Sequence, residues 1–373
     1  MLKGGAVKIK NIVPEGTRDF TIDECKKRNV IIKTITGVFE KWGYGEIATP
    51  TVEYYKIFNH KTQSLKEEEM YKFFDKSGSI LVLRPDMTVP VARMINTKLK
   101  DMTLPLKLFY TANVFRVHES LEGKRNEYLD CGIELIGGDG EIIDLEILVT
   151  ALEVLKSLNT KENFKLEIGD VNILRSAIDE MNLREEDKEN IITLINKKSL
   201  INLRDYLENL KIRDEYKEFL TTLPWLFGGY DMIEKAKKLA FNNIVKENIL
   251  YLEKIFLNLR ELGYEKYISV DMSMVPRVNY YSGIIFKGYV SGIGSTVLRG
   301  GRYNRLLENF GRKTSAIGFS VDVNLLIDSC EYNKDIDRRP IVLNKSNYLL
   351  KLKELIEKTR DGEYLEVIYK GEK

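Results

Sequence analysis

The segment 127–136, EYLDCGIELI, holds the residues whose types and spacing first suggest chemistry. Alternate side chains of a strand share a face, so Asp130, Gly132 and Glu134 point one way. Leu129, Cys131, Ile133 and Leu135 point the other. Two carboxylates flanking a glycine gap form a floor suited to a cationic or hydrogen-bonding ligand. The same pattern also describes a plain solvent-facing sheet surface. Arg116 ends the preceding strand-like run and should lie near this floor across a hairpin. A guanidinium there can grip a carboxylate or phosphate through two parallel bonds, or pair with Glu134 or a neighbour. In the run Arg84-Pro85-Asp86-Met87-Thr88, Asp86 can cap a following helix or offer its carboxylate to an ammonium group. Tyr280 and Tyr281 are adjacent at a strand start. Neighbours in a strand face opposite ways, so one should reach a given pocket and the other should join the core.

Several chemistries are excluded. Two histidines, His60 and His118, cannot build a multi-histidine metal site, so no metal is expected. Three cysteines, Cys25, Cys131 and Cys330, show neither a disulfide framework nor a CxxC pair. There is no GxxxxGK[ST] loop and no GxGxxG after a strand, so no nucleotide cofactor is expected. The glycines at 300, 301 and 311 alone mark turns.

The elements that must hold these residues follow from periodicity. Residues 21–43 predict an amphipathic helix, opened by a Thr21–Glu24 capping box and closed at Gly43. Ile31, Ile32, Ile35, Val38 and Phe39 line its apolar face. Residues 71–84 predict a hairpin turning at Lys76, Ser77 and Gly78. A helix follows Asp86 through Val91 and Met94. Strands are expected over 106–117 and 127–136, a polar loop from His118 to Asn126, and a helix over 141–158. Residues 161–263, rich in Lys, Glu, Leu and Asn, read as a mainly helical insert broken near Pro224 and Gly228-Gly229. Strands return over 267–272 and 280–290. A helix follows near 303–310, and the strand 315–321 comes last. The expected organisation is therefore core (1–160), insert (161–263), core (264–330) and a short tail (331–373). Strand-rich ends around a helical insert predict an α+β fold with an antiparallel sheet flanked by helices.

The 373 residues are 43% hydrophobic, enough for a sizeable core, and carry a net charge of +2. That balance argues against a nucleic-acid surface. No 18-residue apolar run is present, so no membrane span is expected. Met1 to Lys10 lacks an apolar run of signal-peptide length, so a cytoplasmic location is expected.

Read together and in order, several segments resemble histidyl-tRNA synthetase and its non-catalytic relative, the regulatory subunit of short-form ATP phosphoribosyltransferase. They are PEGTRDF (14–20), LRPDMT (83–88), FRVHESLEGKRNEYLDCGIELIG (115–137), NYYSGIIF (279–286), GGRYNRLLENFG (300–311) and SAIGFSVDV (315–323). The resemblance covers roughly residues 10 to 328 and implies a class II aminoacyl-tRNA-synthetase-like core, usually dimeric. The synthetase follows its motif-2 arginine with Arg-His-Glu-Arg or similar; this chain runs Arg116-Val117-His118-Glu119. A further loop arginine is replaced by Asn126. The arginine before the tyrosine pair aligns with Pro276, with Arg277 one place later. The closing Glu-Arg is Asn324-Leu325, and the tail is too short for an anticodon-binding domain. Adenylate chemistry needs arginines against developing charge, and losing one such donor costs on the order of 10²–10³ in rate. The resemblance therefore implies a non-catalytic subunit. It would activate a short-form catalytic partner and make it sensitive to histidine at the first step of histidine biosynthesis. Carried over, Asp86 and Thr88 would hold the histidine ammonium, Glu134 the imidazole, and Arg116 or a backbone donor the carboxylate. Tyr280-Tyr281 match the family's tyrosine pair, and Asp130 stands where the synthetase has Gln. Histidine would bind this pocket or the interface between subunits. The alternatives are a truncated amino-acid-activating ligase, detectable by adenylate formation, and a tRNA-binding module, which the near-neutral charge disfavours.

Overall fold

The computed structural model describes residues 13–58, 65–118, 125–158, 163–276, 280–327, 339–343, 347–361 and 363–369. His60, Glu119, Arg277 and Cys330 lie outside them, as does most of the loop read between His118 and Asn126. The chain divides into two compact units, residues 1–330 and 331–373.

The first unit opens with α1 (Ile22–Lys41). Its start is fixed as the sequence suggested: the Thr21 side chain accepts from the Glu24 N–H, and Glu24 accepts from the Thr21 N–H at 2.8 Å. Gly43, at φ +80°, turns the chain out of the helix. Next come β1 (Gly45–Glu46), β2 (Val52–Tyr54), β3 (Lys72–Phe74) and β4 (Ile80–Leu83). The β3–β4 hairpin turns at Gly78 (φ +83°), and the Asp75 carboxylate accepts from the N–H groups of Ser77 and Ser79. Then α2 (Thr88–Ile95) leads to the longest strands, β5 (Leu106–Phe115) and β6 (Glu127–Ile136), paired over ten residues. They are followed by α3 (Glu141–Ser157) and β7 (Phe164–Asp170). A helical run succeeds them: α4 (Val171–Glu180), α5 (Glu185–Asn196), α6 (Leu200–Glu208) and α7 (Asp214–Thr222). It continues through β8 (Phe227–Gly228), α8 (Tyr230–Leu239) and α9 (Asn243–Glu261). The unit ends with β9 (Ile268–Asp271), β10 (Ile284–Val290), β11 (Leu298–Arg302), α10 (Asn304–Asn309), β12 (Ala316–Asp322) and α11 (Val323–Leu326).

Nine strands join one sheet in the order β1-β5-β6-β12-β11-β10-β7-β9-β8. Its centre is antiparallel, but β1–β5 and β7–β9 are parallel, so the sheet is mixed near both ends. Two strands lie inside the span read as mainly helical, the two-residue β8 and the longer β7. Phe164, Leu166 and Ile168 of β7 alternate inward, and the strand pairs with β10 over seven residues. Burial on the sheet outweighs the Lys- and Glu-rich surroundings that made the stretch read as helix. The outer edge of β5 is sealed by short and irregular pieces. Ile47 N–H donates to Phe109 O at 2.8 Å, Arg84 Nε to Asn113 O at 2.8 Å, and Phe115 N–H to Arg84 O at 3.0 Å.

One face of the sheet is covered by helices. Ile31, Ile35 and Phe39 of α1 are fully buried, and the Phe39 ring meets Phe109 and Phe319 at 5.9 and 5.8 Å. α3 packs on α1 and on α9. On the cavity side, α2, β5 and α10 share an apolar cluster that includes Val91, Ile95, Leu108, Tyr110, Tyr303 and Leu307. The second unit is a parallel pair, β13 (Arg339–Leu343) and β14 (Leu365–Tyr369), linked through α12 (Tyr348–Arg360).

Candidate functional site

The floor of the site is β6. Among its inward carboxyls, Glu134 is 2% exposed. The Tyr303 hydroxyl donates to Glu134 Oε2 at 2.5 Å, and the Thr88 hydroxyl to Oε1 at 3.2 Å. Burial pushes the Glu134 pKa up to about 8, with Asp86 adding to the rise, while the two hydroxyl bonds pull against it. Gly318 of β12 pairs directly with Glu134. A Cβ there would collide with the Glu134 carboxylate and with Ile133 O, so only glycine admits this packing.

The gap expected above Gly132 is not open. Tyr110 of β5 is the cross-strand partner of Gly132, and a Cβ at that glycine would run into the Tyr110 ring and hydroxyl. The glycine makes room for a tyrosine, not for a ligand. Asp130 faces Asp322 across the β6–β12 ladder. Burial first, and Asp322 second, push Asp130 up to about 7, against Arg116, Arg299 and a Ser320 hydrogen bond.

Asp86 takes the first part left open by the sequence, holding the start of α2, and it also faces the cavity. Its Oδ1 accepts from the Val89 N–H at 3.1 Å near the start of α2, and the residue lines the cavity while only 6% exposed. Burial raises its pKa, and Arg116 moderates the rise. Arg116 donates from Nε to Pro85 O at 2.7 Å and sits 5.8 Å over the Tyr128 ring. Its contacts are thus Pro85 and Tyr128, not the ion pair with Glu134 that the sequence allowed.

Tyr280 and Tyr281 both line the cavity. They precede β10 and lie outside the strand, so strand alternation does not separate them. Their ring centroids are 5.1 Å apart, and Tyr280 meets Tyr303 edge-on at 6.0 Å. The structure therefore gathers all seven residues singled out by the sequence, Asp86, Thr88, Arg116, Asp130, Glu134, Tyr280 and Tyr281, around one cavity of about 910 Å³. It adds Tyr110, Arg175, Arg299, Tyr303, Arg305 and Asp322. Tyr303 had a visible signal in GGRYN at 300–304, where Gly300 lets β11 lie close on Gly318 and Phe319 of β12 and Gly301 lets it lie close on Ile284 of β10 and on Tyr281. Tyr110 had none, because its role depends on strand register. Among the described residues, no group of three His, Cys, Asp or Glu side chains is placed to hold a metal. The arrangement can receive an amphoteric molecule: carboxyls for an ammonium or ring N–H, and guanidinium groups for an anion.

A family model described as histidyl-tRNA synthetase matches residues 16–326. The chain is 38% identical over 354 residues to an ATP phosphoribosyltransferase regulatory subunit of Clostridium botulinum, covering 93% of this chain and 84% of that one. A protein of the same name from Bacillus mycoides is 39% identical over 334 residues, covering 89% and 79%. This chain belongs to the ATP phosphoribosyltransferase regulatory subunit family. A solved structure described as a regulatory subunit of that family/histidyl-tRNA synthetase, from Bacillus halodurans, superposes with a TM-score of 0.86 at 29% identity, covering 96% and 93%. Histidyl-tRNA synthetase from a Nostoc species superposes at 0.79 with 23% identity, which speaks for the shared fold. The α+β class II architecture is thus common to regulatory subunit and synthetase.

Positions where this regulatory-subunit family member departs from the synthetase pattern have structural uses of their own. Asn126 latches the N-terminal segment: its N–H donates to Gly16 O at 2.7 Å and its Nδ2 to Glu15 O at 3.1 Å. Pro276 lines the cavity. Asn324 is 5% exposed, and its N–H is capped by Asp322 at 3.0 Å.

Proposed function

We propose that this chain is the regulatory subunit of a short-form ATP phosphoribosyltransferase. It activates the catalytic subunit, carries feedback control by histidine at the first step of histidine biosynthesis, and performs no catalysis itself. The observation that carries this reading is Glu134, buried and held by Tyr303 and Thr88 beside Asp86 in a cavity of about 910 Å³. A fixed, desolvated carboxyl is a strong acceptor for an imidazole N–H, and Asp86 offers a second charge to the ammonium. Asp130, Arg116 and the tyrosine pair complete the proposed histidine pocket. The nucleotide side is served differently from a synthetase, with Pro276, Asn126 and Asn324-Leu325 at the arginine positions. The non-catalytic role rests on that loss of positive charge.

Control of the partner requires a coupling free energy between the histidine pocket and the partner's active site, of about 1–3 kcal/mol for a several-fold to hundred-fold effect. The chain is proposed to pair with a second copy within the hetero-oligomer and to reside in the cytoplasm. No described helix is long and apolar enough to cross a membrane. The helical run within 161–263 is proposed as an insert on the core, and 331–373 as a short tail. The test is to mix the purified chain with a short-form catalytic subunit and follow phosphoribosyl transfer with and without histidine. Activation that histidine reverses is the expected result.

Arg116 and Arg299 on the cavity wall favour a second reading, a truncated histidine-activating ligase. Histidine-dependent exchange of pyrophosphate into ATP would establish it and overturn the first reading.

A further inference from the structure

The cavity has a second cationic locus, apart from the carboxyl floor. Arg175 on α4 enters beside the tyrosine pair and donates from Nη2 to Tyr281 O at 3.2 Å. Its other terminal nitrogen, Nη1, is buried and has no acceptor among the described residues. Arg305 on α10 lines the same cavity, close enough that its charge bears on Arg175. Two guanidinium groups facing one cavity repel each other, and a buried donor without an acceptor is costly. Val171, Leu174 and Ile178 form the wall around Arg175, and this apolar lining strengthens any electrostatic contact made there. The acids on this side are partly spoken for: Lys188 pairs with Asp179 at 3.7 Å and with Glu185 at 2.8 Å. The charges that bear on Asp86 and Asp130 are those of Arg116, Arg299 and Asp322, whereas Arg175 answers to Arg305, Asp179 and Asp170. Tyr281 accepts from Arg175 through its carbonyl, while its ring packs against Tyr280 and against Val171, Met274 and Ile285.

We propose that Arg175 and Arg305 form an oxyanion subsite, receiving a carboxylate or phosphate group of a ligand bound in this cavity. A planar guanidinium with Nη2 anchored on Tyr281 O is held in place, and an oxyanion oxygen settling against it would answer the buried Nη1. Arg305 supplies the second charge. The subsite itself does not require the ligand to be histidine.

The experiment is calorimetric titration of the full chain and of the Arg175→Gln and Arg305→Ser variants with L-histidine, histidinol, inorganic phosphate and pyrophosphate. If the oxyanion is an amino-acid carboxylate, both variants lose tenfold or more in affinity for L-histidine, while their affinity for histidinol is unchanged. If it is a phosphate, the wild type binds phosphate or pyrophosphate and both variants lose that binding. Arg305→Ser keeps the test valid if Arg175→Gln disturbs Tyr281. Should the chain ignore histidine yet bind pyrophosphate through these arginines, the histidine pocket fails and the subsite stands. Equal affinities in wild type and both folded variants, or no binding of any of the four probes, would overturn the proposal.

Discussion

Two carboxyls of the cavity floor carry raised proton affinities, chiefly through burial, with Asp86 adding to the rise of Glu134 and Asp322 to that of Asp130. Asp130 is pushed from an ordinary 3.8 up to about 7, and Glu134 from 4.5 up to about 8. The native chain therefore holds more protons than the unfolded chain between those limits, and its stability falls as pH rises through that window. Asp130→Asn should shrink the drop in melting temperature between pH 5 and pH 8. A drop as large as in the wild type would show that Asp130 is not the source. Glu134→Gln keeps the shape but removes the charge, and histidine affinity should fall on the order of 10- to 100-fold, the loss of one charge-assisted bond. Calorimetry at pH 7 should also show the wild type releasing protons as histidine binds, since a cationic group beside Glu134 favours its ionised form.

The elements are tied together by a buried charge pair. Arg302 at the end of β11 donates from Nε and Nη2 to Asp144 Oδ1 of α3, at 2.9 and 2.6 Å, and the Tyr251 hydroxyl of α9 donates to Oδ2 at 2.6 Å. Asp144 is 1% exposed and Arg302 5%. Arg302→Met would strand a buried carboxylate, and urea unfolding should report a loss of about 3–5 kcal/mol. Adding Asp144→Asn should recover part of it, because the cost lies in the unpaired charge. Most elements were legible from the chain alone. The Thr21–Glu24 box, the Gly78 turn and the alternation in 127–136 are local, and local rules suffice for them. The rest depended on neighbours far away in sequence. The Gly132 gap could not be known to be filled until Tyr110 was registered opposite it. The tyrosine pair was read as strand, and strand rules then forbade what the loop before β10 permits. Phe164–Asp170 showed its alternation, but the charged composition around it masked the signal. Arg175 belonged to no motif and gained meaning only from the cavity that its helix borders.

At the level of the whole molecule, the chain separates into residues 1–330 and 331–373, and the second unit has its own β13–α12–β14 pairing. A chain ending at residue 330 should keep a single cooperative transition, with a melting temperature within about 2–4 °C of the full chain, the scale that roughly 1 kcal/mol produces in a large domain. Collapse of that transition in differential scanning calorimetry would show instead that the second unit supports the first. The nine-stranded sheet ends on both sides in strands of two residues, Gly45–Glu46 and Phe227–Gly228. Beyond Gly45–Glu46, much of the β5 rim is answered by Ile47 and by the backbone and guanidinium of Arg84. An invading strand needs a straight row of unanswered amides, and here it meets a bent chain and an arginine fork. Runaway β-stacking into fibrils is blocked at that rim, so copies of the chain can crowd together without zipping onto one another edge to edge.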